Sequence, residues 1–225
     1  MDQQTSVTKT FFLGRIPAEN LFPFPRPVGS TNETLGLVVD SVERFLSGKD
    51  ALHRKFDEQG AQPADYIESL KELGLFSLVI PEEYGGIGLN SREYARVVEQ
   101  LARHDGSTTL TVAAHSSIGM KGLLLFGNEE QKKRYLPKLA TGELIAAFCL
   151  TEAGAGSDAA SIKTSAVKQA DGSWILNGEK IWITNGPIAD FFTVFARTES
   201  ERGKITAFLV ERSFPGVSSG PKEDK

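Results

Sequence analysis

Residues 146–158 read AAFCLTEAGAGSD, and the fold turns on how the glycines that close this stretch are understood. Gly154-Ala155-Gly156-Ser157-Asp158-Ala159 satisfies G-x-G-x-x-G/A after an apolar run, the formal signature of a dinucleotide-binding strand-turn-helix. That motif works by placing a pyrophosphate on the N-terminus of the helix that follows. No helical period follows here. Asp171-Gly172, Asn177-Gly178 and Asn185-Gly186 instead punctuate short runs rich in Trp, Ile, Val, Thr and Phe. Such pairs are hairpin signals, because type I′ turns need positive φ at both central residues. Residues 192–196 and 205–210 continue the strand character. The context therefore rejects a Rossmann turn and predicts antiparallel β structure.

Upstream, the apolar period is helical from residue 34 to about 140. Leu35, Val38, Val39, Val42, Phe45 and Leu46 recur at three- and four-residue spacing and share one face. Pro63 opens a second helix carrying Tyr66, Ile67, Leu70 and Leu73, which Gly74 stops. After a breaker cluster at residues 81–88, Ser91 is expected to cap a third helix with Tyr94, Val97, Val98 and Leu101. A fourth is expected over residues 107–125, and Asn128 with Gln131 forms the capping box of a fifth. Residues 11–30 hold Pro17, Pro23, Pro25 and Pro27 and read as an extended arm packing through Phe22 and Phe24. The expected fold class is α+β: an arm over 1–30, an all-α bundle over 31–144, and an antiparallel, barrel-like β domain over 145–225 that is incomplete.

Composition narrows the function. Hydrophobic residues make up 40% and charged residues 24% of the 225, so the chain is globular rather than disordered. Lys and Arg number 25 against 29 Asp and Glu, a net charge of −4 without the basic excess of a nucleic-acid binder. Apolar runs such as residues 123–126 fall far short of the ~20 residues that span a bilayer, so no transmembrane segment is expected. The lone Cys149 forms no internal disulfide and reads as a small buried hydrophobe; no Cys/His spacing predicts a metal. Residues 1–10, MDQQTSVTKT, carry neither a secretory core nor an Arg-rich presequence. The expected location is cytoplasmic, bacterial in type, or that of a mature form already processed.

Two segments carry the candidate chemistry. Thr151 and Ser157 flank a small-residue loop that a ligand can approach closely. Trp182-Ile183-Thr184-Asn185-Gly186 reads as a strand ending at a turn, with a flat ring and a hydroxyl. Together they suit a planar heteroaromatic cofactor with a phosphate tail. The same residues also fit a core tryptophan and ordinary turn glycines. Glu152 reads as a hydrogen-bonding residue rather than a base. His53, His104 and His115 share no motif spacing, and His104-Asp105-Gly106-Ser107 reads as a helix junction with a capping Asp or Ser.

At these residues the sequence resembles the acyl-CoA dehydrogenase family. Gly127-Asn128-Glu129-Glu130-Gln131-Lys132 with Tyr135-Leu136-Pro137 and Gly142-Glu143 is similar to the family's link between helical and β domains. Residues 148–158 resemble its first FAD loop, and Asn177-Gly178-x-Lys180-x-Trp182-Ile183-Thr184-Asn185-Gly186 its second. Pro81-Glu82-Glu83-Tyr84-Gly85-Gly86 also fits, while Ala153 departs from a frequent proline. The arm, Phe11-Phe12-Leu13-Gly14 with Leu21-Phe22-Pro23-Phe24-Pro25, and the stretch Lys204-Ile205-Thr206-Ala207-Phe208 to Glu211-Arg212 are most similar to the very-long-chain branch. That branch includes a member doubling as a complex I assembly factor.

The resemblance implies an FAD enzyme that oxidises long-chain fatty acyl-CoA to trans-2-enoyl-CoA. A carboxylate takes the α-proton, the β-hydride goes to flavin N5, and electrons pass to an electron-transfer flavoprotein. By the same resemblance, Phe148, Leu150, Thr151, Gly156 and Ser157 contact FAD. Trp182, Ile183 and Thr184 line its ring, with the Thr184 hydroxyl near N5. Ser157, Ala114 and Ile118 face the substrate, and small residues near Ala113 and Gly119 leave depth for a long chain. The family's catalytic glutamate and subunit interface lie in a C-terminal helical bundle. The chain therefore reads as the N-terminal part of a longer, homo-oligomeric enzyme, and no catalytic residue is assigned. A non-catalytic assembly or scaffold protein, or an acyl-CoA oxidase, would share these features.

Overall fold

Three of the helix starts are set by side-chain caps. The computed structural model describes residues 7–16, 18, 33–198 and 204–223. In order come α1 (Val7–Phe12), α2 (Glu33–Leu46), α3 (Asp50–Glu58), α4 (Ala64–Glu72), α5 (Ser91–Ala102), α6 (Gly106–Ala113), α7 (Lys121–Phe126) and α8 (Glu129–Thr141). The box expected at α8 forms: Asn128 Oδ1 accepts from Gln131 N–H at 2.8 Å, and Gln131 Oε1 accepts from Asn128 N–H at 3.0 Å. At α5 the cap is Asn90, not Ser91. Its Oδ1 accepts from Glu93 N–H at 3.1 Å, and the Glu93 carboxylate takes Asn90 N–H at 3.0 Å. Asp105 caps α6 through Thr108 N–H at 2.6 Å. The expected arm begins with helix α1, which ends before the first proline. Phe22 and Phe24 lie outside the described residues.

The helix expected over 107–125 is interrupted by a π-helical turn, Ala114–Gly119, between α6 and α7. A methyl group on Gly119 would lie 2.8 Å from the Ala114 carbonyl oxygen and 2.9 Å from Ala146 Cβ. The wide turn thus brings helix backbone directly onto the first strand.

The strands β1 (Ala146–Cys149), β2 (Ser165–Lys168), β3 (Trp174–Asn177), β4 (Phe191–Thr198) and β5 (Ile205–Glu211) form one mixed sheet, which corrects the antiparallel, barrel-like expectation. β4 is central. It runs parallel to β1, with Ala146 opposite Phe191, and parallel to β2, with Ser165 opposite Arg197. Only the β2–β3 and β4–β5 pairs are antiparallel. Among the three glycine pairs, only Asp171-Gly172 closes a hairpin. Gly172 takes φ +87°, and Gln169 N–H bonds Ser173 O at 2.8 Å across the loop. At Asn177-Gly178 neither φ is positive, and Gly178 is pressed against Thr164, whose Cα would lie 2.7 Å from a Cβ there. The chain therefore leaves the sheet and returns at β4 in the direction of β1. Mostly apolar residues in β1 and over 191–196 of β4, without strict alternation, are the sequence mark of strands covered on both faces.

Those two faces have separate cores. Ile145, Ala147, Cys149 and Phe192 pack with Val42, Leu70, Val97, Leu101 and Val112. Ala146 and Phe191 pack with Ile80, Met120, Leu123, Tyr135, Leu136 and Leu139. Among the described residues, no helix is long and apolar enough to cross a membrane.

Candidate functional site

Where β1 runs out, the chain turns through residues 150–158, and the second segment, residues 180–186, lies alongside. Ile181 N–H donates to Thr151 O at 3.0 Å, which joins the two backbones. Glu152 locks the junction. Its carboxylate accepts from Lys163 N–H at 2.5 Å, Thr164 N–H at 2.9 Å, Thr164 Oγ1 at 2.5 Å and Lys180 Nζ at 2.7 Å. Lys180 also donates to Leu150 O at 3.0 Å, and both side chains of this ion pair are buried. Burial opposes charge on Glu152, but the Lys180, Thr164 and main-chain donors outweigh it and hold its carboxyl down at about 2. The structural role read from the sequence fits this geometry. Burial pushes the neighbouring Cys149 thiol up to about 12, with Lys180 only partly opposing, so it is unreactive.

Residues 180–186 are not the end of a strand, as the sequence suggested, but a non-repetitive segment and turn. Trp182 takes φ +56°, which is rare for a bulky residue, and the residue is 65% exposed. Such a conformation costs roughly 1–3 kcal/mol and persists only where the surroundings impose it. The surroundings are specific. Asn185, at φ +65°, sends its amide into the interior, where Nδ2 donates to Thr111 O at 2.9 Å. Arg212, lying over the Phe192 ring, donates from Nε to Ala189 O and from Nη2 to Gly186 O, each at 2.6 Å.

The expected site residues fall into three groups. Phe148, Leu150, Thr151 and Ile183 are half-buried where the segments meet, and Phe148 contacts the Phe195 ring at 4.9 Å. Gly156, Ser157, Trp182 and Thr184 are exposed. Ala114 is buried on the π turn, while Ile118, on the same turn, is exposed. Among the described residues, the hydroxyls of Thr151, Ser157 and Thr184 have no protein hydrogen-bond partner. His115, from the π turn, accepts Ala146 N–H on Nδ1 at 3.0 Å, and burial pushes its imidazole down to about 4. It is a neutral fastener of helix to strand.

Lys180, Asn185 and Arg212 fall within stretches that carry the resemblance, but nothing in the sequence marks what each of them holds. Lysine and arginine are ordinarily surface residues, and Asn-Gly reads as a turn whatever its side chain holds.

Two family models match the chain: "Acyl-CoA dehydrogenase, N-terminal domain" over residues 32–143 and "Acyl-CoA dehydrogenase, middle domain" over residues 147–225. The mitochondrial very long-chain specific acyl-CoA dehydrogenase of Macaca fascicularis is 46% identical over 232 residues, covering 99% of this chain and 35% of the relative. A crystal structure of an acyl-CoA dehydrogenase complexed with FAD from Bacillus anthracis superposes with a TM-score of 0.75 at 41% identity, over 88% of this chain and 34% of that one. Butyryl-CoA dehydrogenase from Megasphaera elsdenii gives 0.78 at 36% identity, over 89% and 54%. The chain spans about a third of the length of the curated relatives it matches.

Proposed function

The chain belongs to the acyl-CoA dehydrogenase family, and on that premise we propose that it supplies flavin-facing and acyl-facing surfaces of an enzyme that converts long-chain fatty acyl-CoA to trans-2-enoyl-CoA. One observation carries the proposal: Trp182 is held exposed at φ +56°, on the segment that ends at Thr184 and is joined at Ile181 to Thr151. Backbone strain of this kind clusters at ligand sites, and an exposed indole offers a flat ligand a surface to stack on. The fit to FAD lies in that ring and in the free hydroxyls of Thr151, Ser157 and Thr184. When bound, FAD supplies the hydride acceptor. The chain's own residues bind and orient it. Thr151, Ser157 and Thr184 donate hydrogen bonds, Phe148, Leu150 and Ile183 exclude water, and Trp182 covers the ring. Ala114, Ile118 and Ser157 face the acyl thioester, and an electron-transfer flavoprotein is the proposed acceptor. Glu152 is no proton acceptor in this scheme, because four donors saturate its carboxylate.

The test is spectroscopic. Purified at its native length, the protein is expected to carry FAD that bleaches anaerobically when a long-chain acyl-CoA is added. Thr184→Val is expected to retain flavin but bleach about tenfold or more slowly, the effect of removing one hydrogen bond at a reacting group. A protein that takes up no flavin would overturn the reading. One that binds FAD but is reduced by no acyl-CoA would favour a scaffold role.

A further inference from the structure

Asn185 is where the elements of the site meet. Glycine adopts positive φ freely, yet an asparagine occupies φ +65° here with its side chain buried. The groups nearest its amide are both carbonyl oxygens, Thr111 O at 2.9 Å and Ala146 O at 3.5 Å, so the NH₂ end must face them. Thr111 lies on α6, one turn before Ala114. Ala146 opens β1, which leads to Phe148, Leu150 and Thr151. Asn185 itself follows Thr184. A single amide thus touches the helix behind the acyl-facing residues and the strand behind the first loop, and it ends the segment carrying Trp182.

The carbonyl it grips sits on a fixed element. Thr111 Oγ1 donates to Gln62 at 2.8 Å, and Gln62 Nε2 donates to Thr108 Oγ1 at 3.2 Å. Thr108 meets Tyr66 Oη at 2.9 Å, and Tyr66 reaches His53 Nε2 at 3.0 Å. Helix α6 is therefore tied to α3 and α4 by a side-chain chain that ends on Thr111, the residue whose carbonyl Asn185 grips.

We propose that Asn185 is a positioning residue whose amide holds residues 182–184 in register with helix α6, so that the flavin-facing and acyl-facing elements keep one spacing. The latch rests on the proposed function only for what residues 182–184 face. Two substitutions, made in the protein at its native length, separate its parts. Asn185→Asp keeps size and tolerance of positive φ but turns a carboxylate toward two carbonyl oxygens. Asn185→Gly keeps the backbone and removes the amide. In both, hydrogen exchange at Gly186, Ile188 and Ala189, whose N–H groups bond Ile183 O and Asn185 O, is expected to accelerate about tenfold or more, with exchange in β4 unchanged. The dissociation constant of FAD, titrated into apoprotein, is expected to rise about tenfold. Unchanged exchange, acceleration spread equally over β4, or unchanged FAD affinity with a loosened turn would each overturn the proposal. If the unsubstituted protein takes up no FAD, the proposed function fails, and the exchange pattern still decides the latch.

Discussion

Glu152 carries a charge in a place where burial opposes it, and the sign of its pH dependence follows. An unfolded glutamate titrates near 4.5, whereas this one is held at about 2. Above about 4.5 both states are ionised and its contribution to stability is complete. As pH falls from there toward about 2, the unfolded chain takes up a proton that the folded chain refuses, and stability is lost. His115 acts in a higher window. Its folded value of about 4 lies below the ordinary 6.5, so its contribution is complete above 6.5 and declines as pH falls toward 4. Glu152→Gln should destabilise at neutral pH by about 3 kcal/mol, because Lys180 is left buried without its anion. Melting temperature followed against pH should then keep its slope between pH 6.5 and about 4.5 and become shallower below that, where Glu211, also held down by Tyr135 and Arg134, still contributes. An unaltered acid limb in the variant would contradict the assignment.

Elements differ in how far they can be read before folding, and the difference is physical. The cap of α8 and the loop at Asp171-Gly172 are readable because a few adjacent residues decide them. The π turn is not, because the contact that requires it is between Gly119 and Ala146, far apart in sequence. Parallel pairing of β1 with β4 was marked by mostly apolar residues that do not alternate with polar ones, but the glycine pairs nearby pointed to hairpins and masked it. Gly119→Ala tests the close approach. Backbone atoms at 2.8 and 2.9 Å cannot yield as a flexible side chain would, so a cost of about 1–3 kcal/mol and a fall in melting temperature of roughly 3–10 °C are expected. Gly122→Ala, on α7, is the control. Its methyl would meet Thr193 Cγ2 at an ordinary 3.5 Å, and helix propensity favours alanine, so the melting temperature should hold or rise.

At the scale of the whole molecule, the division into a helical half and a β half describes the order of the chain better than its packing. Consecutive residues of β1 and β4 face opposite cores: Ala147 and Phe192, with Ile145 just before β1, join the helices α2, α4, α5 and α6, whereas Ala146 and Phe191 join α7 and α8. The sheet is wedged between two helical groups, and neither half retains a closed core without the other. The same wedge explains why the site's motifs were readable and its grips were not. Gly154 to Ser157 and Trp182 to Thr184 are local strings, while Asn185, Lys180 and Arg212 bond main-chain carbonyls brought near only when the layers close. Shared cores predict shared unfolding. In this chain, urea titration followed by helical far-ultraviolet dichroism and by fluorescence of Trp174 and Trp182, both in the β half, should give coincident transitions. Phe191→Ala removes a fully buried ring that packs 5.0 Å from Tyr135, and it should shift both probes together by about 3–5 kcal/mol. If the fluorescence midpoint moved while the helical midpoint stayed, the two halves would be independent folding units, and the wedge would be a contact rather than a common core.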